Sequence, residues 1–155
     1  MNITQGCNMS TFAKSLILSA GLAFAFSASA ADQLNNTQWT TYNDKGQPDS
    51  VLKFTESNGK ISAKIVKLLD PRAQGRTVCD VCRGKFKDKS LIGATVLWNL
   101  KADPNNPNKY VGGSGIEPET GMTFSGKGEL KGDTLELRGY KGISLLGKTR
   151  VLKRR

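Results

Sequence analysis

Between Tyr110 and Arg150 apolar and polar residues take turns, and glycine-containing turns break the alternation at short intervals. Met122, Phe124, Gly126, Gly128 and Leu130 alternate with Thr123, Ser125, Lys127 and Glu129. After Gly132-Asp133, Leu135 and Leu137 alternate with Glu136 and Arg138. A period of two marks strands with one buried face, and the interruptions mark hairpins. Upstream, Trp39–Tyr42 reads as a first strand, closed by Asn43-Asp44-Lys45-Gly46, and Val51–Thr55 as a second. Asn58-Gly59, whose residues take positive φ at little cost, joins it to Lys60–Lys67, where Ile61, Ala63 and Ile65 share a face. Order resumes at Ile92, with Ala94, Val96 and Trp98 on one face, and the prolines of Asp103–Asn108 are expected to exclude strand pairing there. Strands at Tyr110–Ile116, Met122–Leu130, Thr134–Tyr140 and Lys148–Lys153 complete a set of about eight. No helical period competes. Such a chain builds a sandwich or a barrel, and serial hairpins without a long crossover favour an all-β, eight-stranded antiparallel up-and-down barrel over residues 37–154. Closure also removes edge strands.

The N-terminus reads as an address. Lys14 precedes Leu16-Ile17-Leu18, the apolar run continues through Leu22, Phe24 and Phe26, and Ala28-Ser29-Ala30 supplies a small-x-small cleavage signal. Basic residue, short apolar core and small residues form a secretory signal peptide, expected over residues 1–30, with Met1 or Met9 as the start. The run is too short to span a bilayer and no stop-transfer segment follows, so no transmembrane segment is expected in the mature chain. Cys7 lies upstream of the apolar core, the wrong side for a lipid anchor. A periplasmic or secreted location follows as the expectation.

Processing after Ala30 removes only Lys14 among charged residues and leaves 22 Lys and Arg against 13 Asp and Glu. A basic exported protein is drawn to anionic envelope components, although a positive surface also serves plain solubility. Histidine is absent, which removes the usual general base and the commonest metal ligand. Sparse aromatics offer no stacking platform, and the basic terminus, Lys148, Arg150, Lys153, Arg154 and Arg155, lacks base-reading neighbours, so no specific nucleic-acid binding is expected. Asp32–Thr37 is polar and reads as a frayed lead-in.

Cys79-x-x-Cys82, Tyr110-x-Gly112-Gly113, Pro118-x-x-Gly121, Arg138-Gly139-Tyr140-x-Gly142 and Gly147, in that order behind a signal peptide, resemble family twenty-one forty-seven of bacterial domains of unknown function. The likeness runs from Trp39 to Arg154, and Arg-Gly-Tyr is its most specific block. The chain departs from the family pattern at Glu117-Pro118, where Asp-Pro is usual, at Phe124, where tyrosine is usual, and at Val151 or Leu152 in place of a late tryptophan. The resemblance implies a calycin-like (lipocalin-like) barrel with no established reaction. Calycins tend to stack an early tryptophan on a late basic residue, so Trp39 would pack on Arg150 or Arg154 and close the barrel; otherwise Trp39 is plain core and both arginines are solvated.

Four groups of residues bear on function. Cys79 and Cys82 in an oxidising compartment form a structural disulfide that shapes its loop more than it holds the fold. A redox dithiol favoured by Arg83 and Lys85 is the alternative, without the strand-to-helix setting such motifs use. A zinc half-site completed by Asp80 or Asp88 is weaker; neither a metal nor any cofactor is expected. Glu117 and Glu119 flank Pro118 in a turn and are expected to face solvent. Gly126, Gly128, Gly139 and Gly112 either relieve strand coiling or clear room for one small ligand. In the second case an apolar ligand would be lined by Trp98, Met122, Phe124, Leu135 and Leu137. Ile143-Ser144-Leu145-Leu146 reads as a plug at a barrel end, or else a lid or membrane-contacting tip. Three functions result: non-enzymatic binding of a small apolar ligand or envelope component, docking of basic segments on an anionic partner, and thiol oxidoreduction.

Overall fold

The computed structural model describes residues 30–71 and 75–155. The expected signal peptide, but for Ala30, lies outside the described residues, as do both candidate start methionines. Eight strands follow one another: β1 (Thr37–Tyr42), β2 (Pro48–Ser57), β3 (Lys60–Leu68), β4 (Thr95–Asp103), β5 (Asn106–Glu117), β6 (Met122–Lys131), β7 (Thr134–Tyr140) and β8 (Lys148–Arg154). Each pairs antiparallel with the next, and β8 returns to β1 through Trp39↔Arg154, Thr40↔Lys153 and Thr41↔Leu152. The ring is closed, so every strand has two neighbours.

Strand polarity gives the barrel two unlike ends. Two-residue connections, Asn58-Gly59, Pro104-Asn105 and Gly132-Asp133, gather at one end. The connections 43–47, 69–94, 118–121 and 141–147 gather at the other. The outer face carries Lys53, Lys64, Lys127 and Glu136, opposite in polarity to the apolar band of a transmembrane barrel. No described helix is long and apolar enough to cross a membrane.

The end with short turns is packed solid. Trp39, Phe54, Ile61, Leu100, Tyr110, Leu135 and Leu152 are fully buried, Trp39 meeting Phe54 edge to face with centroids 6.4 Å apart. Residues 32–36, expected to fray, instead seal this end. Leu34 is fully buried among the core side chains. Asp32 Oδ1 accepts from the Leu34 amide at 2.8 Å and from the Tyr110 hydroxyl at 3.1 Å. Asn35 Oδ1 accepts from the Glu56 amide at 2.9 Å. Burial, then the Asp32 charge and its hydrogen bond, push the Tyr110 hydroxyl far above its ordinary range, so it stays a donor. The polar residues of this segment satisfy backbone and hydroxyl groups that closure buries, which composition alone does not reveal.

Arg154 supplies the cation at the seam, its guanidinium 4.5 Å from the centre of the Trp39 ring. Arg150, the other candidate, does not reach it. Both face inward with Leu152 between them, but four residues of strand separate them by about 13 Å. Arg150 therefore stands at the opposite end.

Three expectations for β4 and β5 are corrected. Leu97 and Leu100 face the core, not Ala94, Val96 and Trp98 as a set. Asn99, with φ 60°, and Gly112, with φ 70°, sit at irregularities that switch the facing pattern, and Gly112 is not an inward position. Pro107 lies within β5, accommodated by a register shift between Ala102 and Asp103.

Replacing Trp39 with alanine is expected to lower unfolding free energy by roughly 3–5 kcal/mol. Arg154→Gln is expected to cost only about 0.5–1 kcal/mol. Urea denaturation of both variants checks the ranking, and equal losses would contradict it.

Candidate functional site

Toward the other end the core thins into a cavity of about 430 Å³ that opens among the longer loops. Leu52, Ile65, Leu97, Leu100, Phe124, Leu137 and Leu152 form its apolar walls. They come from six strands, each delivering alternate residues inward. Of the expected lining, Phe124 and Leu137 are in the wall, and Met122 stands at the rim, half exposed. Leu135 is fully buried in the core below the cavity. Trp98 is on the outer face, stacked on Phe86 at 5.6 Å with Lys85 Nζ over both rings. The register shift between Ala63 and Lys64, opposite Val96, resets the facing before Leu97, so alternation puts Trp98 outside; the irregularity at Asn99 then brings Leu100 inward.

The inward glycines have a specific occupant. Phe124 pairs across the strands with Gly115, and its ring spreads over Gly115 and Gly139. A Cβ on Gly115 would collide with the ring and stand 2.7 Å from the Val96 carbonyl oxygen; one on Gly139 would come within 3.1 Å of the ring. A Cβ on Gly126 meets only ordinary contacts, 3.6 Å to Phe124 and 3.7 Å to Leu97. Most of the cleared space thus holds one aromatic ring laid flat, and Gly126 borders the part left open. Gly113 and Gly115 belong to this set and were hidden from the sequence by the register shift between Tyr110 and Gly113.

One side of the mouth is polar. Arg150 Nη2 donates to Glu117 Oε1 at 2.9 Å, and Arg150 Nη1 to the Tyr42 carbonyl at 3.4 Å. Asp44 approaches Arg150 at 3.8 Å and pairs with Lys148. Below them the Thr41 and Ser50 hydroxyls lie 2.8 Å apart, and Thr41 Oγ1 donates weakly to Asp49 at 3.4 Å. Burial opposes the Arg150 charge, but the Glu117 hydrogen bond and the carboxylates of Glu117, Asp44 and Glu119 outweigh it. Burial raises Asp49 above the usual carboxylate range, against the nearby charge of Arg150 and the Thr41 hydrogen bond. Glu117, expected in solvent, is therefore half-buried in an ion pair. The sequence concealed this because its partner lies 33 residues away.

The Arg-Gly-Tyr block and its companions shape this mouth. Arg138 Nε donates to the Ser144 carbonyl at 2.8 Å, Nη2 to Leu145 at 2.9 Å and Nη1 to Thr149 Oγ1 at 3.0 Å. It thereby clamps the short 3-10 turn Ser144–Leu146. Gly139 makes room for Phe124, Tyr140 lines the mouth, and Gly142 and Gly147 bracket the clamped loop. Pro118 and Gly121 form the β5–β6 turn, which lies against the cysteine loop: at φ 69° Gly121 has Val81 and Cys82 backbone where a Cβ would stand. Cys79 and Cys82 are joined, Cα atoms 5.3 Å apart, and buried against Leu91, Ile116 and Trp98. Cys79 Sγ is 3.4 Å from the Pro118 carbonyl oxygen. The bridge supplies no thiolate for a metal and pins the 69–94 connection over β4 and β5. Asp80 is taken up in an ion pair with Arg76.

Two outcomes follow from this geometry. Gly115→Ala should destabilise the barrel by roughly 1–3 kcal/mol through overpacking, and should cost less, though not nothing, when introduced into a Phe124→Ala background, because the Val96 backbone stays in place. For Asp49 the folded pKa lies above the unfolded one, so its contribution to stability falls as pH rises from about 4 through the folded value. Asp49→Asn should remove that slope, measured as the stability difference between variant and parent against pH; parallel curves would refute the assignment.

The comparisons agree with this architecture. A protein of the human pathogen Helicobacter pylori, described as belonging to the lipocalin family, matches with a TM-score of 0.66 and 23% identity over 81% of this chain and 84% of that one. At that identity the likeness speaks for the fold. No curated protein matches the chain. Residues 37–154, the whole ring from the first strand to the last, match the family described as an uncharacterized protein conserved in bacteria (DUF2147), and the chain belongs to that family.

Proposed function

We propose that the barrel is a non-enzymatic binder of one small, largely apolar molecule, working in the periplasm or outside the cell. The cavity carries this reading: about 430 Å³, apolar within and open at one end, inside the roughly 300–1,000 Å³ typical of ligand sites. The polar patch of Arg150, Glu117, Thr41 and Ser50 at its mouth suits a ligand with one polar end. Glu117 is held by Arg150, the chain has no histidine, and the Thr41 hydroxyl reaches the Asp49 carboxylate only at 3.4 Å, so the site offers no closely engaged nucleophile and base. Export is supported by the signal-peptide pattern of residues 1–30, and an oxidising compartment accords with the Cys79–Cys82 bridge.

The alternatives fare less well. Thiol exchange needs an attackable sulfur, and both sulfurs are buried behind the β5–β6 turn. Docking through the basic loop and C-terminus loses much of its second half, because the terminal cations are paired within the chain: Lys148 with Asp44, Arg150 with Glu117, Lys153 with Thr134, and Arg154 with Trp39 and Asp133; the cations of the cysteine loop stay exposed.

Delipidated protein should show saturable binding of N-phenyl-1-naphthylamine, with competition by long-chain lipids. Gly126→Leu, whose Cβ is accommodated and whose remaining carbons enter the cavity, should weaken that binding about tenfold or more while thermal unfolding stays cooperative. No saturable binding across a panel of apolar probes would sink the proposal.

A further inference from the structure

The open end of the barrel is also where apolar side chains are left in water. Ile143, Leu145 and Leu146 are 61, 85 and 80% exposed. They do not fill the cavity: Leu146 stands at its rim, all three side chains are largely exposed, and Arg138 holds the loop's carbonyls. Val81, Ile92 and Met122, further exposed apolar residues, lie on connections at this same end or beside them. At the opposite end the Asn-Gly, Pro-Asn and Gly-Asp turns themselves carry no exposed large apolar residue, and Val111 on β5 is exposed near it. Exposed cations accompany the apolar tip: Lys141 within its loop, Lys45 on the β1–β2 turn, and Arg83, Lys85, Lys87 and Lys89 on the cysteine loop.

We infer that this end docks on an anionic phospholipid bilayer, with Leu145 and Leu146 inserted at the headgroup–acyl boundary and the surrounding cations on the lipid phosphates. A convex tip of three residues is too small to anchor a standard protein interface, which buries roughly 800 Å² per partner. It suits shallow insertion, for which a modest apolar anchor needs a basic patch beside it. The clamp matters because a tip fixed in advance loses little conformational freedom on insertion. Docking places the cavity mouth against the bilayer, so an apolar ligand passes between lipid and barrel without crossing water. That last step rests on the ligand-binding reading; the docking does not.

The test is co-sedimentation of the purified full chain with phosphatidylglycerol/phosphatidylethanolamine vesicles and with phosphatidylcholine vesicles. Binding to the anionic vesicles is expected, weakened by added sodium chloride, with little binding to the neutral ones. The double variant Ile143→Ser, Leu145→Ser should lose about tenfold in vesicle affinity yet bind N-phenyl-1-naphthylamine as the parent does. A Leu145→Trp variant should shift its emission to the blue on adding anionic vesicles. Equal sedimentation of the serine variant and parent, unchanged tryptophan emission, or equal binding to neutral and anionic vesicles would each overturn the inference. Vesicle binding by a protein that takes up no apolar probe would overturn the cavity reading alone.

Discussion

The meeting of β1 with β8 is the constraint on which everything else depends. It turns a row of hairpins into a ring, and it happens where Trp39 stands opposite Arg154. The cation–π contact contributes modestly, but it covers the tryptophan at the seam while Leu34 seals it from below. Tyr110 and Asp32 then fix the sealing segment with one hydrogen bond across the barrel floor. Closure at this end is what permits the other to be incomplete. A ring held by packed Leu, Trp and Phe at its base tolerates an unfilled mouth, because the strands are already in register when they reach it.

The interior grades from solid to hollow, and side-chain size along each inward row sets the grade. On β8 the row reads Arg154, Leu152, Arg150: a cation against an aromatic ring, a core leucine, then a cation at the rim. On β6 it reads Leu130, Gly128, Gly126, Phe124. Phe124 lies flat on Gly115 and Gly139, so one aromatic ring takes the space that several Cβ atoms would claim. Coiling relief and room for a ligand, which looked like rival reasons for the glycines, are both incomplete. Their main tenant is a residue of the protein itself, with Gly126 at the border of the remaining cavity.

Arg138, Pro118 and Gly121 build the mouth. Arg138 does so through three hydrogen bonds to its loop, and Pro118 and Gly121 by seating the β5–β6 turn on the disulfide loop. The Arg-Gly-Tyr stretch thus serves as scaffold for the opening: Arg138 holds the loop, Gly139 admits the Phe124 ring and Tyr140 lines the rim. Glu117 and Asp49, the two carboxylates with unusual surroundings, are tied to the same rim: one by Arg150, the other by burial beside Thr41.

The chain by itself determined the number and order of the strands and their antiparallel hairpins, and favoured a closed ring over a sandwich, because period-two alternation and turn dipeptides are local and each constrains its neighbours. The resemblance to calycins offered two arginines as partners of Trp39, beside a reading of Trp39 as plain core. Only the tertiary structure decided between them, since a rise of about 3.3 Å per residue puts Arg154 at the seam and Arg150 at the rim. The same holds for Trp98 on the outside, Leu135 in the core, the ion pair of Glu117 and the ordered plug at Asp32–Asn36. Each depends on an irregularity that flips a strand's facing, on depth along the barrel as for Leu135, or on a partner tens of residues away. A single irregular residue such as Asn99 exchanges the two faces of a strand, and neither it nor a contact across the ring leaves a periodic mark in the sequence.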